Sequence, residues 1–136
     1  MPTQPKATRP PRAPLAGSVP GTYARLLFDY LAARGLDSLA ILGEAAPPAG
    51  HEPSYPAERW RQLLAQAADH LHDPALGLHL GASITPAHLG PLGYVLAASS
   101  NASAALQRYL RYQRLVHDVS PVRYELSGDE LILEWN

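Results

Sequence analysis

The side chains best suited to chemistry in this chain are histidines, a few acids and one arginine-rich helix. His70 and His72 stand beside Asp69 and Asp73, a grouping with the donor types of a metal site. Helical residues two apart point to different sides, so the two imidazoles cannot grip one ion as an i, i+4 pair does. No metal site is expected, and Asp73 is better explained as the cap of the helix that begins at Pro74. Ser99, His88 and Asp118 have the types of a hydrolytic triad, but the sequence has no G-x-S-x-G elbow, no G-x-x-x-x-G-K-[ST] loop and no G-x-G-x-x-G after a strand. Gly90 is followed by Pro91, which removes a backbone donor that a phosphate would use. No catalytic residue and no cofactor are expected. A small hydrolase is kept only as a third reading, for want of a nucleophile and base motif.

One helix holds the more interesting polar groups. On a wheel for the helix ending at Val116, Leu106, Tyr109, Leu110 and Val116 form the inner face, and Gln107, Arg108, Arg111 and Arg114 the outer one. Gln113 and His117 fall among the inner residues. A buried amide and a buried imidazole must find partners. Two readings stay open: the helix frays and both groups are wet or bond to the following hairpin, or they form the wall of a ligand pocket. Under the second, the pocket lies against the apolar helix at 92–98, Gln113 and His117 orient the ligand, and Tyr94 adds a hydroxyl. Replacing Gln113 by Leu is then expected to leave the unliganded domain about as stable.

The elements that must position these groups follow from periodicity. Residues 1–20 contain six prolines, Lys6, Arg9 and Arg12 and no acid, which predicts a disordered, mildly basic tail. Tyr23, Leu26, Leu27, Tyr30 and Leu31 share a helical face, with Thr22 as N-cap, Gly35 as the left-handed stop, and Arg25 and Asp29 outside. A short helix at 37–42 and a mobile Pro- and Gly-rich loop at 43–54 follow. The next helix carries Trp60, Leu63, Leu64, Ala67 and Leu71 as one stripe. Gly77 and Gly81 are spaced to let another backbone pack closely. Residues 92–98 are apolar on all sides, which predicts a helix buried in the middle of the domain. Beyond Pro121, Val122, Tyr124 and Leu126, a Ser127-Gly128-Asp129 turn, then Leu131, Leu133 and Trp135 alternate as a β-hairpin.

Composition sets the outer limits. With 136 residues and 46% hydrophobic content there is room for one domain with a real core. A net charge of −1 offers no electrostatic footprint for a polyanion. The helix after Gly35 offers Asp37, Ser38 and Glu44 where a DNA-reading helix needs Arg, Lys, Asn or Gln. There is no cysteine, no apolar run near the ~20 residues of a membrane span, and no signal-peptide core. A soluble, cytoplasmic protein is expected. The Arg-, Ala-, Pro- and Gly-rich usage hints at a GC-rich bacterial source.

The run Asp73-Pro74-Ala75-Leu76-Gly77-Leu78-His79-Leu80-Gly81, then Gly90-Pro91-Leu92-Gly93-Tyr94 and a helix opening at Asn101, resembles the amino-terminal effector-binding, arabinose-binding-like region of AraC-type transcription regulators. The resemblance spans residues 23–135. The helix opening departs from the family's T-L-x-E-A-L, reading Asn101-Ala102-Ser103-Ala104-Ala105-Leu106 without the Glu of a capping box.

The expected fold is α+β and mostly α: a bundle of about five or six helices, then a hairpin that begins a small sheet. Residues 1–20 form the tail and 21–136 a sensing-like domain, helical over 21–120 and hairpin over 121–136. The resemblance implies a ligand-sensing regulatory domain that binds an unknown small-molecule effector and passes its occupancy to DNA through a carboxy-terminal helix-turn-helix domain. That domain is absent from this chain, so a fragment or a naturally short form is expected. A homodimer or self-association through the hairpin's apolar face is the expected assembly. The alternative, from another class, is a ligand-free interaction module whose sheet edge is completed by a second chain.

Overall fold

The computed structural model describes residues 13–119 and 122–135, and its core is centred on one helix. α1 (Gly21–Ala32) buries Ala24, Leu27, Phe28 and Leu31 on the single stripe that i, i+3, i+4, i+7 spacing makes. Leu63 and Ala67 of α3 (Ala57–Leu71) and Leu76 and Leu80 of α4 (Leu76–Ala82) pack into the same cluster. Leu42 of α2 (Ser38–Leu42) joins it from the side. Each fully buried Leu or Phe here contributes about 1.5–3 kcal/mol.

Local chemistry sets the helix ends. Asp37 Oδ1 accepts the Leu39 N–H at 3.0 Å, and Gly43, at φ 73°, closes α2 in the left-handed region. Gly35, at φ 68°, turns the chain after α1. Thr22 is not the cap of α1: Pro20 holds that position, and its carbonyl accepts the Tyr23 N–H at 2.9 Å.

The amino-terminal segment departs from the disordered tail expected to run through Pro20. β1 (Ser18–Val19) pairs antiparallel with β2 (Tyr55–Pro56), and Val19 and Tyr55 are both buried. Proline content argued for a solvated chain, but Val19 finds an apolar partner that no local pattern announces. Residues 1–12 of that expected tail lie outside the described residues.

The loop at 43–54 is tied rather than loose. Arg25, expected on the outside of α1, is largely covered: its Nε donates to Glu52 Oε1 at 3.2 Å, and its terminal nitrogen donates to the Pro47 carbonyl. Gly50 N–H donates to the same carboxylate. Arg59 pairs with Glu44, which also accepts the Tyr55 hydroxyl at 3.3 Å. The long guanidinium stems of α1 and α3 cover apolar surface while their heads collect loop oxygens.

A 3₁₀ turn at Pro86–Leu89 leads into α5 (Pro91–Ala97) and α6 (Ala102–Val116). The segment 92–98 is not the buried centre that its apolar pattern predicted. Leu92 and Gly93 are buried, whereas Tyr94 is 62% exposed and Val95 is also open to solvent. α1 occupies the centre, and α5 lies at its periphery between the 3₁₀ turn and α6. The close-packing glycines are likewise different ones. A Cβ at Gly77 or Gly81 would meet open space, whereas one at Gly93 would run into the Pro86 carbonyl and one at Gly21 into Glu52 and Pro53.

The hairpin forms as predicted. β3 (Arg123–Ser127) and β4 (Glu130–Glu134) pair antiparallel, with Tyr124 opposite Leu133, Leu126 opposite Leu131, and Gly128 at φ 61° in the turn. All ten strand residues are exposed. The architecture is therefore α+β and mostly helical, with six α-helices among the described residues followed by the hairpin. No helix among the described residues is long and apolar enough to cross a membrane.

Candidate functional site

The last two turns of α6 gather the polar groups of interest. An α-helix has 3.6 residues per turn, so Tyr109, Gln113 and His117 share one side, and Arg108, Tyr112 and Leu115 another. Gln113 is 5% exposed and is the one buried polar side chain among the described residues. Its Nε2 donates to the Leu110 carbonyl at 3.3 Å and to the Val122 carbonyl at 3.2 Å, while Oε1 accepts the Val122 N–H at 3.0 Å. Both amide hydrogens are thus engaged, and only acceptor capacity on Oε1 remains.

His117 ends the helix and meets two tyrosines. Its Nε2 lies 3.2 Å from the Tyr109 hydroxyl, and its ring centroid is 6.1 Å from that of Tyr23 on α1. Burial pushes the His117 pKa down, against the opposing pull of the Asp118 charge. Burial, with a smaller contribution from Tyr109, pushes Tyr23 up to about 12, and burial raises Tyr109 as well. The cluster is therefore neutral near pH 7: a network of hydroxyls, imidazole and amide. Asp118 Oδ1 accepts the Ser18 N–H at 2.9 Å, so β1 is anchored at the same place.

Beside these groups lies a cavity of about 300 Å³ lined by Gln113, Arg114, His117 and Asp118. Facing α5 are two others. An apolar groove of about 280 Å³ is lined by Pro91, Leu92, Val95, Tyr112, Leu115 and Val116, with Leu115 82% exposed. A cleft of about 440 Å³ runs along Val95, Ala104, Gln107, Arg108, Arg111 and Tyr112.

The structure thus brings Gln113 and His117 together and leaves Tyr94 apart. Tyr94 stands exposed on α5 and lines none of these three cavities. Tyr109 shares the inner face with the pair as the helical wheel places it, whereas Tyr23 and Asp118 join it without any local signal. The spacing of Tyr109 at four and eight residues before Gln113 and His117 was a usable signal, whereas contact with Tyr23 and Ser18 is long-range. Elsewhere, His72 closes α3 in the left-handed conformation at φ 52°, and Asp73 accepts the Ala75 N–H at 3.0 Å and pairs with His79 Nδ1 at 2.6 Å. Among the described residues, no three His, Asp or Glu side chains are grouped to hold a metal ion.

Comparison with known proteins agrees with the sequence motifs. A family model described as the arabinose-binding domain of AraC transcription regulator, N-terminal, matches residues 35–136. An ornithine utilization regulator of Pseudomonas aeruginosa is 33% identical over 121 residues, covering 85% of this chain and 33% of that protein. The chain therefore spans about a third of the length of the curated relative it matches.

Proposed function

Because this chain belongs to the family of amino-terminal arabinose-binding domains of AraC-type transcription regulators, we propose that it senses a small-molecule effector at the end of α6. The observation that carries this reading is the double use of the polar groups there. Gln113 and Asp118 line the 300 Å³ cavity and also hold Val122, ahead of the hairpin, and Ser18 of β1. An effector that bonds to these groups favours one position of the hairpin over another, to the extent of its differential affinity for the two. Gln113 and His117 are its proposed contacts, while Tyr94 belongs to the α5 surface. The domain performs no catalysis in this reading. It acts in the cytoplasm and reaches DNA through a separate helix-turn-helix domain.

The names of the family and of the relative supply the first probes, L-arabinose and L-ornithine. Either is expected to raise the thermal midpoint of the chain in a concentration-dependent way, with the increase lost in His117→Ala. Stabilisation that survives this substitution would remove the effector from this cavity.

A second reading has its own observation. Every strand residue of the hairpin is exposed, including Tyr124, Leu126, Leu131 and Leu133 on one face. Such a face fits an interaction module or a homodimer contact. Light scattering separates the readings: concentration-dependent mass supports association through the hairpin, and a strict monomer at high concentration counts against it.

A further inference from the structure

Among the described residues, the arginines of the helices that line these cavities differ from those elsewhere in their partners. Arg25, Arg59 and Arg61 each pair with a carboxylate. Arg108, Arg111 and Arg114 pair with no carboxylate among the described residues, and α6 contains no acid over Ala102–Val116. Arg108 and Arg111 are one turn apart, and both line the 440 Å³ cleft between α5 and α6. They are not equally loose. Arg108 Nη1 donates to Ser99 Oγ at 2.6 Å, and Ser99 Oγ donates to the Val95 carbonyl at 3.0 Å, which fixes one guanidinium to the end of α5. Arg111 stands 5.6 Å from the Tyr112 ring centroid. Of the remaining walls, Val95, Ala104 and the Tyr112 ring are apolar, Val95 and Tyr112 being exposed, and Gln107 adds an amide.

We propose that the α5–α6 cleft is a binding site for a small organic carboxylate, with its head group on Arg108 and Arg111 and its apolar body on Val95 and Tyr112. A guanidinium presents its donors as a planar fork that matches a carboxylate in a bidentate manner. The ligand charge offsets two cations that pair with no carboxylate among the described residues. An inorganic anion satisfies that charge and leaves Val95 and Tyr112 wet. Duplex DNA needs a broader basic stripe, which the net charge of −1 and the acids Glu125, Glu130 and Glu134 on the hairpin oppose. The site lies across α6 from Gln113 and His117 and is distinct from the sensing cavity.

Amide NMR titration of the whole chain at constant ionic strength, with benzoate, adipate and inorganic phosphate as probes, tests the site. Benzoate and adipate are expected to give saturable shifts at Val95, Ala104, Gln107 and Tyr112. Arg108→Gln and Arg111→Gln should each weaken that binding about tenfold, whereas Arg123→Gln, on the exposed strand β3 and outside both the cleft and the sensing cavity, should change it less than about twofold. Tyr112→Ala should weaken benzoate and leave phosphate unchanged. Phosphate binding as tightly as benzoate, or an equal loss in Arg123→Gln, would reduce the cleft to diffuse charge and overturn the proposal. So would the absence of saturation by either carboxylate up to about 10 mM. A short DNA duplex that shifts the same amides more tightly at physiological salt would reassign the surface to nucleic acid. These readouts report occupancy of the cleft alone, so their failure leaves the regulatory reading intact.

Discussion

Gln113 grips both polar groups of Val122: the backbone N–H donates to Oε1 at 3.0 Å, and Nε2 donates to the carbonyl at 3.2 Å. One side chain thereby supplies the pairing that a neighbouring strand would offer. Gln113→Leu, expected from sequence alone to be neutral without ligand, instead leaves a half-buried donor and acceptor of Val122 unmatched. The substitution should cost about 1–3 kcal/mol, seen as a fall in thermal midpoint of several degrees. A midpoint unchanged within a degree or so would mean that water replaces the amide without loss.

His117 sets a pH dependence whose sign is fixed by its burial. The folded state favours the neutral ring, so the folded pKa lies below the ordinary 6.5. Above that value both states are neutral and the contribution to stability is fully present. As pH falls through 6.5 the unfolded chain takes up its proton first, and stability declines until the folded pKa is passed. Glu52, Asp73 and Glu58, the last held at about 2 by Arg61 and the Leu15 N–H, act only at lower pH. Thermal melts at about pH 7.5 and 5.5 should therefore differ in the wild type and converge in His117→Gln.

The glycines give a paired prediction of opposite sign. Gly77→Ala and Gly81→Ala fill open space in α4, and each should stabilise by about 0.5–1 kcal/mol through helix propensity. Gly93→Ala drives a methyl group into the Pro86 backbone and should destabilise by about 1–3 kcal/mol. Denaturant melts of the three variants check both directions.

Truncation distinguishes a tail from a strand. Removing residues 1–19 deletes β1, the buried Val19 and the Ser18 bond to Asp118. The midpoint should fall by several degrees, since burial of one valine alone is worth about 1.5–3 kcal/mol. An unchanged midpoint would show that β1 contributes nothing net.

What the sequence disclosed and what it hid divide by range. The stripe of α1, the left-handed turn at Gly35, the short helix before Gly43 and the Ser127-to-Asp129 turn are local signals, and they appear as read. The placement of Val19 on Tyr55, of Arg25 on Glu52 and of α5 at the edge depends on partners far along the chain. An all-apolar segment shows that something must cover it, not whether the cover is the core or another surface. The same limit applied at Gln113. Its inward position was legible on the wheel, but its bonds to Val122 were not.

Burial is distributed unevenly along the chain. The deepest side chains, Leu27, Phe28, Leu31 and Leu63, all sit on α1 and α3, whereas α5, α6 and the hairpin bury only Leu92, Gly93 and Gln113. Opening the second set exposes little apolar surface, so it forms a separate cooperative unit that opens at lower free energy than the whole molecule. Native-state hydrogen exchange should show α6 and hairpin amides exchanging together, with a shallow denaturant slope, well before those of α1. A molecule bound at either face of α6 holds closed the half that opens most easily. Its first signature is therefore slowed exchange in that half, at ligand concentrations too low to move the global melt.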